Sequence, residues 1–254
     1  MRHSKKTFLL VLLLGMILVI VSAVYLDQSA NVQKMSAFEK VEAVVSKQTQ
    51  VNASQSTARF IWIENGYSIS VPATDSFYIR KQNGPALEPD AVPRLFEREI
   101  SSIKDVLGDE SFALNEENSS KDFSDRTFYD YVQAYQKGNE LCMLKINPDD
   151  VGYYQLDFSC GDSLQQAYEE QLPFLEVLGL KDKHATVTVQ NQKGEYYEIG
   201  IGNVRAGSDA VIKREDGVYR VLYIGQEAPS CNLIEKEQIP SEVLRSMGGD
   251  RVCQ

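Results

Sequence analysis

The sequence predicts an α+β protein in which an N-terminal transmembrane helix precedes helices that pack on antiparallel sheets. Three observations support this prediction. An apolar stretch lies near the N-terminus, helical and strand-like periodicities follow one another along the rest of the chain, and four cysteines all lie beyond the apolar stretch. A helix laid on a run of antiparallel strands is an α+β layered architecture.

The N-terminal apolar stretch, residues 8–26, contains 19 residues and no charge. As a helix it spans roughly 28 Å at about 1.5 Å per residue, which matches the hydrocarbon core of a membrane. The flanking charges are Arg2, Lys5 and Lys6 on one side and Asp27 on the other. The positive-inside rule therefore predicts a cytoplasmic tail at residues 1–7, a single-pass membrane anchor and an extracytoplasmic remainder.

A cleaved signal peptide is the alternative for the same stretch, and the protein would then be secreted. Residues 21–23 place Val, Ser and Ala where a signal peptidase reads the chain, after an apolar run of signal-like length. We favour the uncleaved signal anchor, because the apolar run continues past this point to Tyr25, an aromatic residue typical of membrane interfaces.

The charge of the chain excludes one class of partner. The formal net charge is −10, and the basic tail lies on the far side of the predicted membrane, so the exported part is more acidic still. Nucleic acids and anionic lipid headgroups are bound mainly through Lys and Arg. We therefore expect no nucleic-acid partner, and we expect contact with the membrane only through the anchor.

The four cysteines predict two disulfide bonds in an exported protein. They are Cys142, Cys160, Cys231 and Cys253. Of the three connectivities we choose Cys142 with Cys160 and Cys231 with Cys253, because each closes a local loop, which stabilises by roughly 3 kcal/mol. A metal site is not expected, since zinc prefers closely paired Cys or His ligands and the only histidines are His3 and His184. No cofactor is predicted.

Residues 27–57 are predicted to form an amphipathic stalk and a linker. Apolar side chains recur at helical spacing at Val32, Met35, Phe38, Val41 and Val45. Residues 46–57 are mostly polar and are typical of a linker.

A first α+β domain is predicted at residues 58–162. Asn65-Gly66 separates two apolar segments and is a strong signal for a tight hairpin turn. A proline-rich stretch then leads to a predicted helix at residues 94–107. Further strands are predicted at residues 112–114, 127–135, 141–146 and 153–160, the last two being joined by a turn at residues 147–150.

A second α+β domain, residues 163–254, is predicted to repeat this order. A helix at residues 163–178 precedes strands at residues 185–190, 196–201, 209–214 and 218–224. A short helical tail follows, with Ser241 as a candidate N-cap. The shared order of elements favours a tandem duplication, although few side chains are identical between the halves.

Two resemblances extend this reading. The C-terminal arrangement is similar to cystatin-like or NTF2-like folds in the order of its elements. Residues 219–231 (YRVLYIGQEAPSC), followed by Ile239-Pro240 and Cys253, resemble the C-terminal end of uncharacterised membrane-anchored bacterial exported proteins. This second resemblance covers only the C-terminal region of the chain and implies no known activity.

Residue patterns that could carry catalysis have simpler explanations. His184, the exported histidine, has no nucleophile motif near it and is expected to be a surface residue. Gly200, Gly202 and Gly207 depart from a phosphate-binding loop, because Arg205 occupies the third glycine position and a strand follows. We therefore expect a bulge or a turn there, and no enzymatic activity.

Two acidic segments are also candidates for chemistry. Residues 115–125 (NEENSSKDFSD) lack the spacing of a calcium-binding loop, so we expect a solvated loop. Asp149 and Asp150 follow Pro148, where turn chemistry explains them better than paired catalytic carboxylates.

Tyr129, Tyr131 and Tyr135 fall on one face of a predicted strand and form the candidate binding site. Exposed aromatic residues make low-entropy contact surfaces for proteins or glycans. The alternative is that this face is core, in which case truncation of a tyrosine would destabilise the fold.

These observations predict a non-catalytic, membrane-anchored extracytoplasmic protein of the cell envelope that binds another protein or a glycan. The alternative is a pilin-like structural subunit, in which an apolar N-terminal helix extends into a stalk. The segment around Lys6 lacks the glycine and glutamate of pilin leaders, which weakens that alternative.

Overall fold

The computed structural model describes residues 35–53, 58–83, 87, 91–120, 131–150, 152–202, 207–248 and 253. The predicted anchor at residues 8–26 and Tyr129 lie outside the described residues. Within the described ranges, no helix combines the length and the apolar character that crossing a membrane requires.

Helices and antiparallel strands alternate along the described chain, which confirms the α+β class. The helices are α1 (Ala37–Val45), α2 (Val92–Leu95), α3 (Glu97–Asp109), α4 (Leu164–Val177), α5 (Cys231–Glu237) and a 3-10 helix (Ser241–Leu244). The strands are β1 (Asn52–Ala53), β2 (Arg59–Glu64), β3 (Tyr67–Pro72), β4 (Asp75–Gln82), β5 (Ala113–Ser120), β6 (Tyr131–Lys137), β7 (Glu140–Asp150), β8 (Tyr153–Gly161), β9 (Thr186–Lys193), β10 (Tyr196–Gly202), β11 (Gly207–Glu215) and β12 (Val218–Gly225).

The first sheet has six strands in the order β1-β4-β8-β7-β6-β5, and every neighbouring pair is antiparallel. Side chains alternate between its two faces, so every second residue of β7 and β8 points toward the helices. Phe77, Leu144 and Phe158 are fully buried on that face among side chains of α1, α2 and α3. We call this side the helix face and the opposite side the open face.

The second sheet has four strands in the order β12-β11-β10-β9. Phe174 of α4 packs against one face through the rings of Tyr197 and Tyr219, at centroid distances of 5.2 and 5.1 Å. The C-terminal segment covers the other face, where Val211 shares a small apolar cluster with Val243 of the 3-10 helix.

The hairpin β2–β3 packs between the two sheets and is held there by two side-chain amides. Asn118 of β5 accepts a hydrogen bond from the backbone N–H of Ile63 at 2.5 Å and donates to its carbonyl oxygen at 3.2 Å. Gln171 of α4 does the same at Ser70, at 3.0 and 2.8 Å. Each amide therefore replaces a missing neighbouring strand at one outer edge of the hairpin. We call this region the hairpin junction.

Several sequence-based predictions are confirmed. The hairpin turns at Asn65 and Gly66, with φ angles of 53° and 81° that suit a type I′ turn. The helix predicted at residues 163–178 is α4, and the strands predicted after it are β9 to β12. The structure also joins Cys142 to Cys160 and Cys231 to Cys253, with Cα–Cα distances of 4.1 and 5.5 Å.

Other segments differ from the predictions. Residues 37–45, expected in a stalk, form α1, which begins at a capping box on Ser36 and buries Phe38, Val41 and Val45 against the first sheet. The apolar stripe seen in the sequence is therefore a packing face. The strand β4 was not predicted, although Phe77 and Ile79 alternate with polar residues as a half-buried strand requires.

Two predicted loops are strands. Residues 115–120, expected in a solvated loop, continue β5 to Ser120. Residues 147–150, expected in a turn, extend β7, and Asp150 is paired with Tyr153 across a register shift. In both places polar residues are tolerated in a strand because it lies at an edge or an end of the sheet.

Candidate functional site

Tyr131 and Tyr135, the two described members of the predicted tyrosine site, lie on the helix face of the first sheet. Tyr135 is 6% exposed and belongs to the core, and Tyr131 is half-buried and packs against the same cluster. Burial raises the pKa of both phenols. The burial of Tyr135 therefore agrees with the alternative stated above, in which this strand face is part of the core. Tyr131 packs against the same core cluster.

The open face of the same sheet carries polar side chains. Near the hairpin junction this face is apolar and covered, since Ala134, Leu141 and Met143 are buried in the second core. Farther along the strands it becomes polar. We call these residues the polar grid: Tyr78, Arg80, Lys145, Asn147, Tyr153, Gln155 and Asp157.

Strand register brings the polar grid together. Asp157 of β8 lies opposite Tyr78 of β4 and Lys145 of β7, and Gln155 lies opposite Arg80 and Asn147 in the next row. Neighbouring rows on one face are two residues apart, so these side chains are neighbours on the sheet. The guanidinium of Arg80 lies 4.7 Å from the centre of the Tyr153 ring, which adds an aromatic surface to the grid.

The carboxylate of Asp157 is the centre of the polar grid. One of its oxygens accepts a hydrogen bond from Nδ2 of Asn147 at 2.9 Å, and the other accepts from Nε2 of Gln155 at 2.8 Å. Lys145 is half-buried beside it, and burial lowers the pKa of its amine while the negative charge of Asp157 opposes that shift. The centre thus combines a carboxylate, an ammonium group and two amides.

The amide oxygen of Asn147 is the one incompletely satisfied atom of this centre that the described part of the chain shows. Oδ1 is buried and has no hydrogen-bond partner in the structure. Flipping the amide would not help, because the carboxylate of Asp157 needs the donor that Nδ2 supplies. A buried acceptor without a partner costs about 1 to 3 kcal/mol. A donor group that reached this oxygen would therefore recover that cost.

The other sequence candidates are dispersed. His184 is exposed in a turn with a φ angle of 49°. Gly200 and Gly202 lie in β10 and Gly207 lies in β11, and Gly202 pairs with Gly207 across the two strands. Asp149 and Asp150 lie in the last residues of β7. Among the described residues, no group of three or more His, Cys, Asp or Glu side chains is placed to hold a metal ion.

A pocket lies beside the Cys142–Cys160 disulfide. Its volume is about 120 Å³, and Asp75, Glu140 and Asp162 contribute to its wall. Binding cavities for small molecules are usually about 300 to 1,000 Å³. The pocket is therefore too small to enclose such a ligand.

A buried carboxylate that the sequence analysis missed has a structural role. Glu198 of β10 is fully buried and accepts hydrogen bonds from the side chain of Asn191, from Oγ of Ser246 at 2.9 Å and from the backbone N–H of Met247 at 3.1 Å. These bonds hold the C-terminal segment against the second sheet.

The polar grid was also missed, although the sequence contains its signal. The apolar positions of β7 and β8 alternate with Lys145, Asn147, Gln155 and Asp157. This alternation predicts a polar face, but only the strand register shows that the four side chains meet.

No protein-family model, no curated protein and no solved structure matches this chain. The fold class and the polar grid are therefore the basis for a functional proposal.

Proposed function

We propose that the protein is a non-catalytic binding protein of the cell envelope, anchored by an N-terminal transmembrane helix, and that the polar grid contacts a partner protein or glycan. The observation that supports this most directly is the buried, unpartnered Oδ1 of Asn147. A hydroxyl or amide N–H from a partner would complete its hydrogen bonding. Carboxylate, amide and aromatic groups side by side suit either kind of partner.

The extracytoplasmic location is supported by the cysteines. Both disulfides are formed, and disulfides persist mainly in oxidising compartments. The apolar residues 8–26 support anchoring, with secretion after cleavage as the alternative. The C-terminal resemblance to membrane-anchored bacterial exported proteins agrees with the same location.

The fold proposed with this function is a tandem pair with cystatin-like or NTF2-like element order. It is supported by the repetition of one helix and four antiparallel strands, first as α3 with β5 to β8 and then as α4 with β9 to β12. The pilin-like alternative has less support, because the capping box at Ser36 starts α1 where a continuous stalk helix would have to pass.

The test compares capture of envelope components by the full-length protein and by an Asn147→Ala/Gln155→Ala variant. Immobilised protein would be cross-linked in native envelopes, and sedimentation with purified cell-wall glycan would separate a glycan from a protein partner. We expect the variant to lose at least about tenfold in capture, as is typical when central interface contacts are removed.

The matched control is Gln192→Ala, which removes an exposed amide from β9 on the other sheet. It should capture as much as the unmodified protein. Equal capture by the double variant and this control would overturn the assignment of the grid.

A further inference from the structure

The strand β12 is an edge of the second sheet with which no other described strand pairs on its outer side. None of its eight residues is buried, whereas its neighbours β10 and β11 each bury three or more. Six of the eight are apolar or aromatic, and Val218 and Ile224 are 68% and 53% exposed. A hydrophobic edge strand is a template for pairing with another strand.

Other edges of the described sheets are protected. The outer edges of β2 and β3 are closed by Asn118 and Gln171 in the hairpin junction. The strand β1 has only two residues, and the opposite edge strand, β9, is mostly polar, ends in Lys193 and contacts β3 and the 3-10 helix. Such devices are how proteins prevent unwanted strand pairing. At β12 the described residues supply only the charge of Arg220 and a bulge at Leu222, so the segment before the bulge is available to a partner strand.

The hairpin geometry shows which backbone groups face outward. Asp216 and Gly217, with φ angles of 50° and 83°, form a two-residue turn that closes on the pair Glu215 and Val218. Hydrogen-bonded and non-hydrogen-bonded pairs then alternate as far as Val221, after which a bulge shifts the register. The N–H and C=O groups of Tyr219 and Val221 therefore point away from β11, and no described residue bonds to them.

The structure assigns this edge to a second copy of the chain, paired antiparallel about Arg220. In this register Tyr219 of one copy lies opposite Val221 of the other, and the two pairs exchange four backbone hydrogen bonds. Val218 and the bulge at Leu222 border this paired segment on its two sides. Both copies use the same residues in the contact, as a two-fold dimer requires. The two four-stranded sheets then join into a single sheet of eight strands.

The charges at the centre fit this arrangement. Two copies of Arg220 face each other, but each guanidinium lies 2.8 Å from Glu237 and 3.7 Å from Glu215 of its own chain. Four carboxylates therefore surround the two guanidinium groups at the two-fold axis. The acidic groups screen the Arg–Arg repulsion that would otherwise disfavour this register.

The first test is the mass of the full-length protein in solution, measured by light scattering or sedimentation across concentrations from micromolar upward. We expect a concentration-dependent dimer and no larger species, because the two-fold contact uses up both edges. A protein that stays monomeric throughout would overturn the inference.

Two variants of one residue isolate the backbone contact. Val221→Pro removes the outward N–H, which proline tolerates at an edge strand, whereas Val221→Ala removes a similar amount of side-chain packing and keeps the N–H. We expect Val221→Pro to weaken dimerisation at least about tenfold relative to Val221→Ala, by the loss of two interchain hydrogen bonds. Equal dimerisation of the two, as a contact through the N-terminal helix would give, would contradict the assignment.

Engineered cysteines test the register even if Val221→Pro fails to fold. The described native cysteines are all in disulfides. Arg220→Cys should form an interchain disulfide under mild oxidation, because the residue lies opposite itself. Val218→Cys is the control, since its two copies lie about 13 Å apart in this register. Efficient cross-linking through Val218→Cys but not through Arg220→Cys would overturn it.

Discussion

The hairpin junction and the polar grid use the same kind of side chain in two different ways. In the junction, the amides of Asn118 and Gln171 each use both their nitrogen and their oxygen on one backbone residue. In the polar grid, Asn147 uses its nitrogen on Asp157 and leaves its buried oxygen without a partner. The first arrangement is complete within the fold, and the second is not.

This difference separates structural polar residues from candidate functional ones. A buried amide with all its bonds made holds two elements together and specifies how they meet. A buried amide with an unmade bond destabilises the native state, and local departures of this kind concentrate at functional sites. We therefore expect substitutions in the junction to reduce stability, and substitutions in the grid to change stability little.

The largest effect is expected for Gln171→Ala. The substitution leaves the buried N–H of Ser70 without a partner, which costs about 1 to 3 kcal/mol. It also removes one of the two hydrogen bonds to the C=O of Ser70, which keeps the bond from Arg59. We expect the free energy of unfolding, measured by urea denaturation, to fall by about 2 to 5 kcal/mol. The control is Gln166→Ala, which lies on the exposed side of the same helix. A similar loss in both variants would show that helix propensity, and not the junction, determines the result.

A smaller effect of the same kind is expected for Asn118→Ala. Its two bonds to Ile63 are only partly shielded from water, so solvent can replace them in part. We expect a loss of about 1 to 3 kcal/mol in the free energy of unfolding, together with faster hydrogen exchange at the amide of Ile63. Unchanged exchange at this amide would mean that Asn118 does not close the edge of β2.

Substitution of Lys145 by Met is expected to stabilise the protein slightly at neutral pH. Burial lowers the pKa of Lys145 in the folded state, so the native state disfavours the ammonium group that is fully hydrated after unfolding. This penalty is present below the lowered pKa and disappears as the pH rises to the unfolded value of about 10.4. The gain in the free energy of unfolding should thus be at most about 1 kcal/mol at pH 7 and should vanish in strongly alkaline solution.

The control for this prediction is Lys104→Met, because Lys104 is exposed on α3. It should leave the pH dependence of unfolding unchanged. A loss of stability in Lys145→Met at neutral pH would show that the attraction to Asp157 outweighs the cost of burial.

Local patterns were sufficient to predict many of the elements but not how they pack. The Asn65-Gly66 turn and the alternating strands after residue 185 depend on short-range chemistry, and the structure agrees with them. The apolar stripe of residues 37–45 was found, but whether it forms a stalk or packs on a sheet depends on contacts with distant residues. The same limit applies to Tyr135. The sequence shows which face of the strand it lies on, but not that this face is buried.

The candidate site depends on register, which is why it could not be predicted. Asn147 and Gln155 are eight positions apart, and Tyr78 is far from both in the sequence. They meet because β4, β8 and β7 are neighbours in a particular alignment. The amides of the hairpin junction are harder still to predict, because nothing in the local sequence distinguishes Gln171 from the exposed glutamines of the same helix.

The most direct test of the difference between junction and grid is the stability of Asn147→Ala beside that of Gln171→Ala, measured under identical urea denaturation. In Asn147→Ala, the loss of a hydrogen bond to Asp157 is offset by removal of the unpartnered oxygen, so we expect a change within about 1 kcal/mol. Gln171→Ala should lose at least about 2 kcal/mol. If Asn147→Ala loses as much stability as Gln171→Ala, the amide of Asn147 is a structural residue and the polar grid is not a site kept open for a partner.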